Sequence, residues 1–216
     1  MNRYARALER LAPLHRGRVV VQPVFSNVGE LGDPRPLDGR EPWMVLFGSS
    51  NWIRSCFTSH GCELLPACTG VAATKILVIG ELKRDEINFP VPIEVLGTLP
   101  SDAVGHWMQR ARAGFTSYPV HCLGKSGVFA AYAAQGLLPI VVRTGENDDG
   151  LVLGRTMAAA SRMPHELSLE DMAQIAAGAH AWYRPHNVRE TASCYAIALT
   201  DALAVSQTEP ARLACL

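Results

Sequence analysis

Short apolar runs alternate with longer amphipathic stretches through the middle of the chain. Residues 43–47 (WMVLF), 75–80 (KILVIG), 93–96 (IEVL), 113–118 (AGFTSY) and 138–142 (LPIVV) read as strands. The first, second and last are apolar almost throughout, the pattern of strands buried on both faces. Helical stretches lie between them. One starts near Trp52, weakens at His60 and Gly61, and is divided in two by Pro66. Another starts at Ser101 with Asp102 in its first turn. A third starts at Ser126, is Ala-rich to Ala134 and stops at Gln135 and Gly136. Two longer helices, 169–183 and 188–205, close the chain and are separated at Arg184 and Pro185.

The N-terminal part is less regular. Residues 1–14 predict a short amphipathic helix with Tyr4, Leu8 and Leu11 on one face. Residues 18–25 (RVVVQPVF) predict a strand whose Pro23 marks an edge position or an early end. Residues 26–42 form the one clear linker, rich in Gly, Pro and Asp. After the last core strand comes a polar loop, 143–150, and then at most a short strand at 151–153. Strand and helix in alternation predict an α/β domain with a doubly wound, Rossmann-like parallel sheet of at least five strands. The expected divisions are 1–17 (helix), 18–42 (strand and linker), 43–165 (the Rossmann-like domain) and 166–216 (C-terminal helices packing on it).

Composition narrows the class. The 216 residues are 48% hydrophobic and 19% charged, with a formal net charge of +0, which suits one well-buried domain. A neutral chain has no long-range steering toward nucleic acid or an anionic membrane. The six cysteines, at 56, 62, 68, 122, 194 and 215, form no CxxC pair, and no His stands at zinc-ligand spacing from two of them. A reduced, cytoplasmic protein without a metal site is the expectation. The charged start, MNRYARALERLAPLHRGR, is unlike a signal peptide, and no window reaches the roughly 20 apolar residues of a membrane helix.

In a parallel sheet ligands bind outside the carboxyl ends of the strands. Three strand-to-helix turns belong there: residues 48–52, 97–101 and 119–127. The first offers Gly48, Ser49 and Ser50; the third offers Gly124, Lys125, Ser126 and Gly127 in a row. Backbone N–H groups at a helix start, with the positive end of its dipole, suit a phosphate. Neither turn is a GxxxxGK[ST] loop or a GxGxxG turn. On the residues alone, Gly and Ser ahead of a helix mean a turn and an N-cap.

Residues 43–142 also resemble the C-terminal half of retaining GT-B glycosyltransferases, which use nucleotide sugars. The matching strings, in order, are VLFGSS, KILVIGE, VLGTLPSDAV, AGFTSYP and KSGVFAAYAAQGLLPIVV, with QPVFSNVGE similar to the linker into that half. KSGVFAAYAAQG is the specific part. The resemblance implies that the chain binds a nucleotide sugar as donor substrate, with no further cofactor. Gly48, Ser49, Ser50, Arg54, Gly124, Lys125, Ser126 and Gly127 would hold the diphosphate. Thr98, Leu99, His121 and Tyr132 would stand near the base or sugar.

Two departures from the family's pattern stand out. At the positions of its glutamate pair this chain has Leu123 and Ala131, so the ribose contact would pass to Ser126 or Tyr132. The length also leaves room for one of the two lobes. The acceptor lobe would come from a second chain, or the protein would act as a homo-oligomer. A non-catalytic partner or regulatory subunit of a glycosyltransferase is the alternative, and a sugar-nucleotide epimerase a third reading. No catalytic residue can be named.

The remaining polar residues have plainer readings. Arg54 is either a phosphate contact or a surface charge, and His121 either a donor contact or a structural histidine. Glu81 reads as a solvated carboxylate, and His106 and Trp107 as mid-helix surface and packing residues. Glu146, Asp148 and Asp149 read as a solvated acidic loop, with a sugar-hydroxyl or metal role as the other possibility. His180, His186 and Cys194 read as packing and surface residues rather than a zinc site. There is no GxSxG elbow for a serine triad.

Overall fold

The computed structural model describes residues 7–8, 10–11, 21–30, 32–83, 87–147, 149–163 and 167–208, with side chains to residue 201. The helix expected over 1–14 falls largely outside these residues; 7–8 and 10–11 are helical.

Six strands form one sheet: β1 (Glu41–Phe47), β2 (Lys75–Ile79), β3 (Ile93–Gly97), β4 (Ala111–Thr116), β5 (Leu138–Val141) and β6 (Ala158–Ala159), in the order β3-β2-β1-β4-β5-β6. Every neighbouring pair is parallel. The helices are α1 (Ser50–Thr58), α2 (Gly61–Gly70), α3 (Ser101–Arg110), α4 (Gly127–Ala134), α5 (Leu169–Tyr183) and α6 (Val188–Thr208). This is the doubly wound α/β architecture that the apolar pattern predicts.

Alternate residues of the central strands feed two core clusters. Met44, Leu46, Ile76 and Val78 pack with Ile53 and Phe57 of α1 and Leu64 of α2. Val45, Leu77 and Ile79 pack with Val104 and Met108 of α3 and Tyr132 of α4. Each such side chain, fully withdrawn from water, contributes roughly 1.5–3 kcal/mol. Helix α5 links the two layers: Met172, Ile175 and Ala176 join the first cluster, while Ala179 and Tyr183 reach Ala130, Ala133 and Ala134 of α4. Helix α4 is therefore enclosed on every side, which explains its lack of a polar face.

Glycine decides how closely α4 lies on the sheet. A Cβ on Gly114 would stand 2.7 Å from three ring atoms of Tyr132. The Tyr132 ring lies flat over the β4 backbone at that point. Its hydroxyl accepts from Phe47 N–H (3.1 Å) and lies 3.2 Å from the carbonyls of Val45 and Phe115, so one residue pins α4 to β1 and β4.

The N-terminal part corrects one expectation. Residues 18–20 of the predicted strand lie outside the described residues, and residues 21–25 are irregular. Pro23 has no N–H for a ladder. Val24 gives its N–H to Gly124 O (2.8 Å), in the turn before α4, rather than to a strand. The following linker is pinned to the helices. Ser26 N–H donates to the Tyr183 hydroxyl (2.8 Å), and that hydroxyl donates to the Glu30 carboxylate. Glu30 also accepts from Val188 N–H (2.8 Å) at the start of α6, where a negative charge suits the helix dipole. At the strands' amino ends, the buried Arg40 guanidinium donates to the carbonyls of Arg35, Ala111 and Gln135. Burial, then the nearby Arg35, lowers its pKa to about 10.

The sixth strand, β6, was not expected; the short strand expected at 151–153 is a single bridge between Leu153 and Met157. The helix weakens near His60 as expected and breaks there, α1 ending at Thr58 and α2 beginning at Gly61, but the division expected at Pro66 does not occur: Pro66 lies inside α2.

Candidate functional site

The chain lays down β1, β2 and β3 in one direction, then returns to the other side of β1 for β4, β5 and β6. The reversal lies between β1 and β4. In open parallel sheets, the crevice at the carboxyl ends of the two strands flanking such a reversal is where ligands bind.

Glycines end the three strands on the β1 side of it. Gly48 (φ 145°), Gly80 (φ 139°) and Gly97 (φ 73°) follow or end β1, β2 and β3. Gly48 N–H donates to Ile79 O (3.3 Å), and Gly80 N–H to Gly97 O (2.9 Å). A Cβ on Gly80 would lie 2.4 Å from Gly48 O, so the three strand ends can meet this closely only without a side chain there.

Two helix N-termini lie beside Gly48. Ser49 is the N-cap of α1, and its side chain makes no capping bond. Among the described residues the amides of Ser50, Asn51 and Trp52 find no acceptor. Ser126 caps α4, its Oγ accepting from Phe129 N–H at 3.2 Å. The amides of Gly127 and Val128 are left in the first turn of α4. The two helix starts are neighbours: Val128 Cγ2 lies 3.7 Å from where a Cβ on Gly48 would stand. The sequence assigned both turns to one edge; the structure sets them against each other.

The third turn holds a feature that the sequence did not reveal. Gly124 N–H donates to Asp149 Oδ2 at 3.2 Å, across 25 residues of chain. Asp149 is thus folded back onto the turn before α4 and part-buried, rather than being a solvated loop residue. Its backbone is fixed by Trp182 Nε1, which donates to Asp149 O (2.6 Å), and by Asn147 Oδ1, which accepts from the amides of Asp149 and Leu151. Asp148 lies outside the described residues.

The other expected residues are placed as follows. Ser49, Ser50, Arg54, Thr98, His121 and Lys125 are exposed. Leu99 packs against the second core cluster. Ser126 is buried, its hydroxyl engaged by the Phe129 amide. Tyr132 is fully buried in the core and does not face the crevice. Of the two substitutes expected for the ribose contact, then, one is a core residue and the other a helix cap. Leu123 and Ala131, which stand where the resembled family carries glutamates, are both fully buried.

Beside the α1 N-terminus lies a hollow of about 550 Å³, lined by Ser50, Asn51, Arg54, Glu81, Lys83 and Gly97 among others. Asn51 and Lys83 were not singled out from the sequence. Their signal was position alone: one falls in the first turn after β1, the other in the charged loop after β2. A larger hollow of about 640 Å³ lies among Pro34, Leu37, Gly136 and Ala173. It includes no residue of the three turns, and Gly136 precedes β5, so it opens at the wrong end of the strands for a switch-point ligand.

Burial pushes the Cys56 and Cys68 thiols up to about 12, so both are neutral packing groups. Among the described residues no cluster of three His, Cys, Asp or Glu is placed to hold a metal, and no helix is long and apolar enough to cross a membrane.

No family model matches the sequence, and no curated protein does. Solved structures do. An alpha-glucosyltransferase in complex with UDP matches with a TM-score of 0.53 at 10% identity, over 78% of this chain and 53% of that one. The alpha-glucosyltransferase in complex with UDP-glucose and DNA containing an abasic site gives 0.54 at 11% identity, over 82% and 57%. Alpha,alpha-trehalose 6-phosphate synthase from Burkholderia multivorans gives 0.51 at 12%, over 81% and 45%. The fold is that of the C-terminal Rossmann-like half of the GT-B architecture. At such identities the likeness concerns the fold alone, and the chain spans about half the length of these structures. In this chain the switch crevice lies between β1 and β4, with the starts of α1 and α4 beside it.

Proposed function

We propose that this chain binds a nucleoside diphosphate sugar and serves as the donor half of a glycosyltransferase. The observation that carries this reading is the meeting of two helix N-termini at Gly48, beside the switch crevice. Each helix start is equivalent to roughly half a positive charge, and an anion placed there gains about 0.3–2 kcal/mol per helix. A diphosphate is long enough and charged enough to use both. Arg54, beside the first turn, and Lys125, in the third, supply whole charges. Solved proteins of this fold in complex with UDP and with UDP-glucose support the choice of ligand.

The chemistry assigned to this half is electrostatic. As the bond between the sugar's anomeric carbon and the diphosphate oxygen breaks, charge builds on the leaving diphosphate. The amides at the starts of α1 and α4, with Lys125 and Arg54, stabilise that charge. The sugar passes to an acceptor hydroxyl, whose proton is lost to the surroundings. The acceptor is held by surfaces outside this half.

Calorimetric titration with UDP, GDP and their sugars tests the reading. Saturable binding of one nucleoside diphosphate is expected, about fivefold to tenfold weaker in Lys125→Ala, the effect of losing one close charge partly screened by water. If no diphosphate binds at millimolar concentration, the donor reading is wrong. If the Lys125→Ala variant binds as the parent does, Lys125 is not in the site.

A further inference from the structure

Asp149 brings a negative charge to a turn proposed to take an anion. Its Oδ2 already accepts from Gly124 N–H at 3.2 Å, two residues before the cap of α4. The contact depends on glycine, because a Cβ on Gly124 would lie 2.5 Å from that same oxygen. The peptide carrying the carboxylate cannot drift, since Trp182 holds its carbonyl and Asn147 its amide. Movement at this contact therefore falls to the side chain, about its own torsions. A carboxylate on a fixed peptide, set against an amide by a glycine, imitates the contact that a phosphate oxygen would make there.

We propose that Asp149 is an intramolecular competitor for the anion site. Its carboxylate holds the Gly124 amide when no diphosphate is bound, and rotates away to yield that amide to an incoming phosphate. The inference rests on the donor reading above and adds to it: affinity for the nucleotide is set below what the helix starts alone would give.

The test compares the parent with Asp149→Asn. Asparagine keeps the shape and an acceptor oxygen for Gly124, so the turn is preserved while the charge is removed. The variant should bind UDP about threefold to tenfold more tightly at low salt, the range expected for removing one like charge at partly solvated distance. The gain should shrink as ionic strength rises, because screening acts on that repulsion. In ¹⁵N-labelled parent protein the Gly124 amide resonance should move as UDP is added.

A parent that binds UDP while the folded Asp149→Asn variant binds it equally or less tightly would overturn the competitor and leave the donor reading intact. So would a Gly124 resonance unmoved at saturation. If neither form binds any nucleoside diphosphate, both readings fall together.

Discussion

His186 stacks against Trp182, ring centroids 5.0 Å apart, and its Nδ1 is buried with no hydrogen-bond partner among the described residues. Burial lowers its pKa below the ordinary 6.5, and the nearby Trp182 backbone and Asp149 offset this only in part. The sign follows from linkage. As pH falls through 6.5 the unfolded chain takes up this proton first, so the folded state loses stability until its own lower pKa is reached. Urea midpoints should therefore be lower at about pH 5.5 than at about pH 7.5, and a His186→Gln variant should lose less over that interval. An equal loss in both proteins would remove His186 as the cause. The sequence showed this histidine only as a packing or surface residue. Its burial depends on Trp182 and on a loop some 40 positions earlier, Asp149 included. Tyr132 teaches the same lesson more sharply. Four residues before Gly136, in a helix start resembling a donor site, it could have faced ligand or core, and helical spacing does not say which. The hydroxyl's three partners, in β1 and β4, decide it.

Helix α4 is the element on which the crevice turns. Its start carries Ser126, Gly127 and Val128, and its middle rests on Gly114 through the Tyr132 ring. A Gly114→Ala substitution pushes a methyl group 2.7 Å from that ring, which is fully buried and has no flexible end to yield. We expect a loss of about 1–3 kcal/mol in urea denaturation, the usual penalty for overpacking. Displacement of α4 away from Gly48 should weaken nucleotide binding as well. Stability unchanged within about 0.5 kcal/mol would show that the helix yields without strain. Most elements could be read from local pattern. The strands β1, β2 and β5 are mostly apolar runs followed by glycine or polar residues, and α4, α5 and α6 begin after Ser126, Ser168 and Asn187, residues that capping chemistry favours. Two elements could not be read. Residues 21–25 look like a strand, but Pro23 and the Val24 bond to Gly124 take them off the sheet. Strand β6 is two alanines, and alanine has no preference for a strand; only pairing with Ile140 and Val141 makes it one.

At the scale of the molecule, ligand binding and folding should be coupled, because the crevice exists only when β1 and β4 are neighbours. A nucleotide bound by the folded state alone, at about 100 times its Kd, adds about 2.7 kcal/mol. For a chain of this size that corresponds to a Tm rise of roughly 5–10 °C. Saturating UDP that leaves Tm unmoved would mean that it has no preference for the folded state. The chain spans about half of each GT-B structure it resembles, so binding and transfer are separable questions.

The order of apolar runs, glycines and caps was enough, by itself, to establish a parallel α/β sheet and the turns that end its strands. Those features depend on residues within a few positions of one another, where period and backbone preference act directly. Which turns become neighbours was decided only by the tertiary structure. The reversal of strand order at β1, the abutment of Val128 on Gly48, and the fold-back of Asp149 onto Gly124 join segments 25 to 80 positions apart. Contacts of that range follow from how two covering layers share one sheet, and no local pattern encodes the pairing.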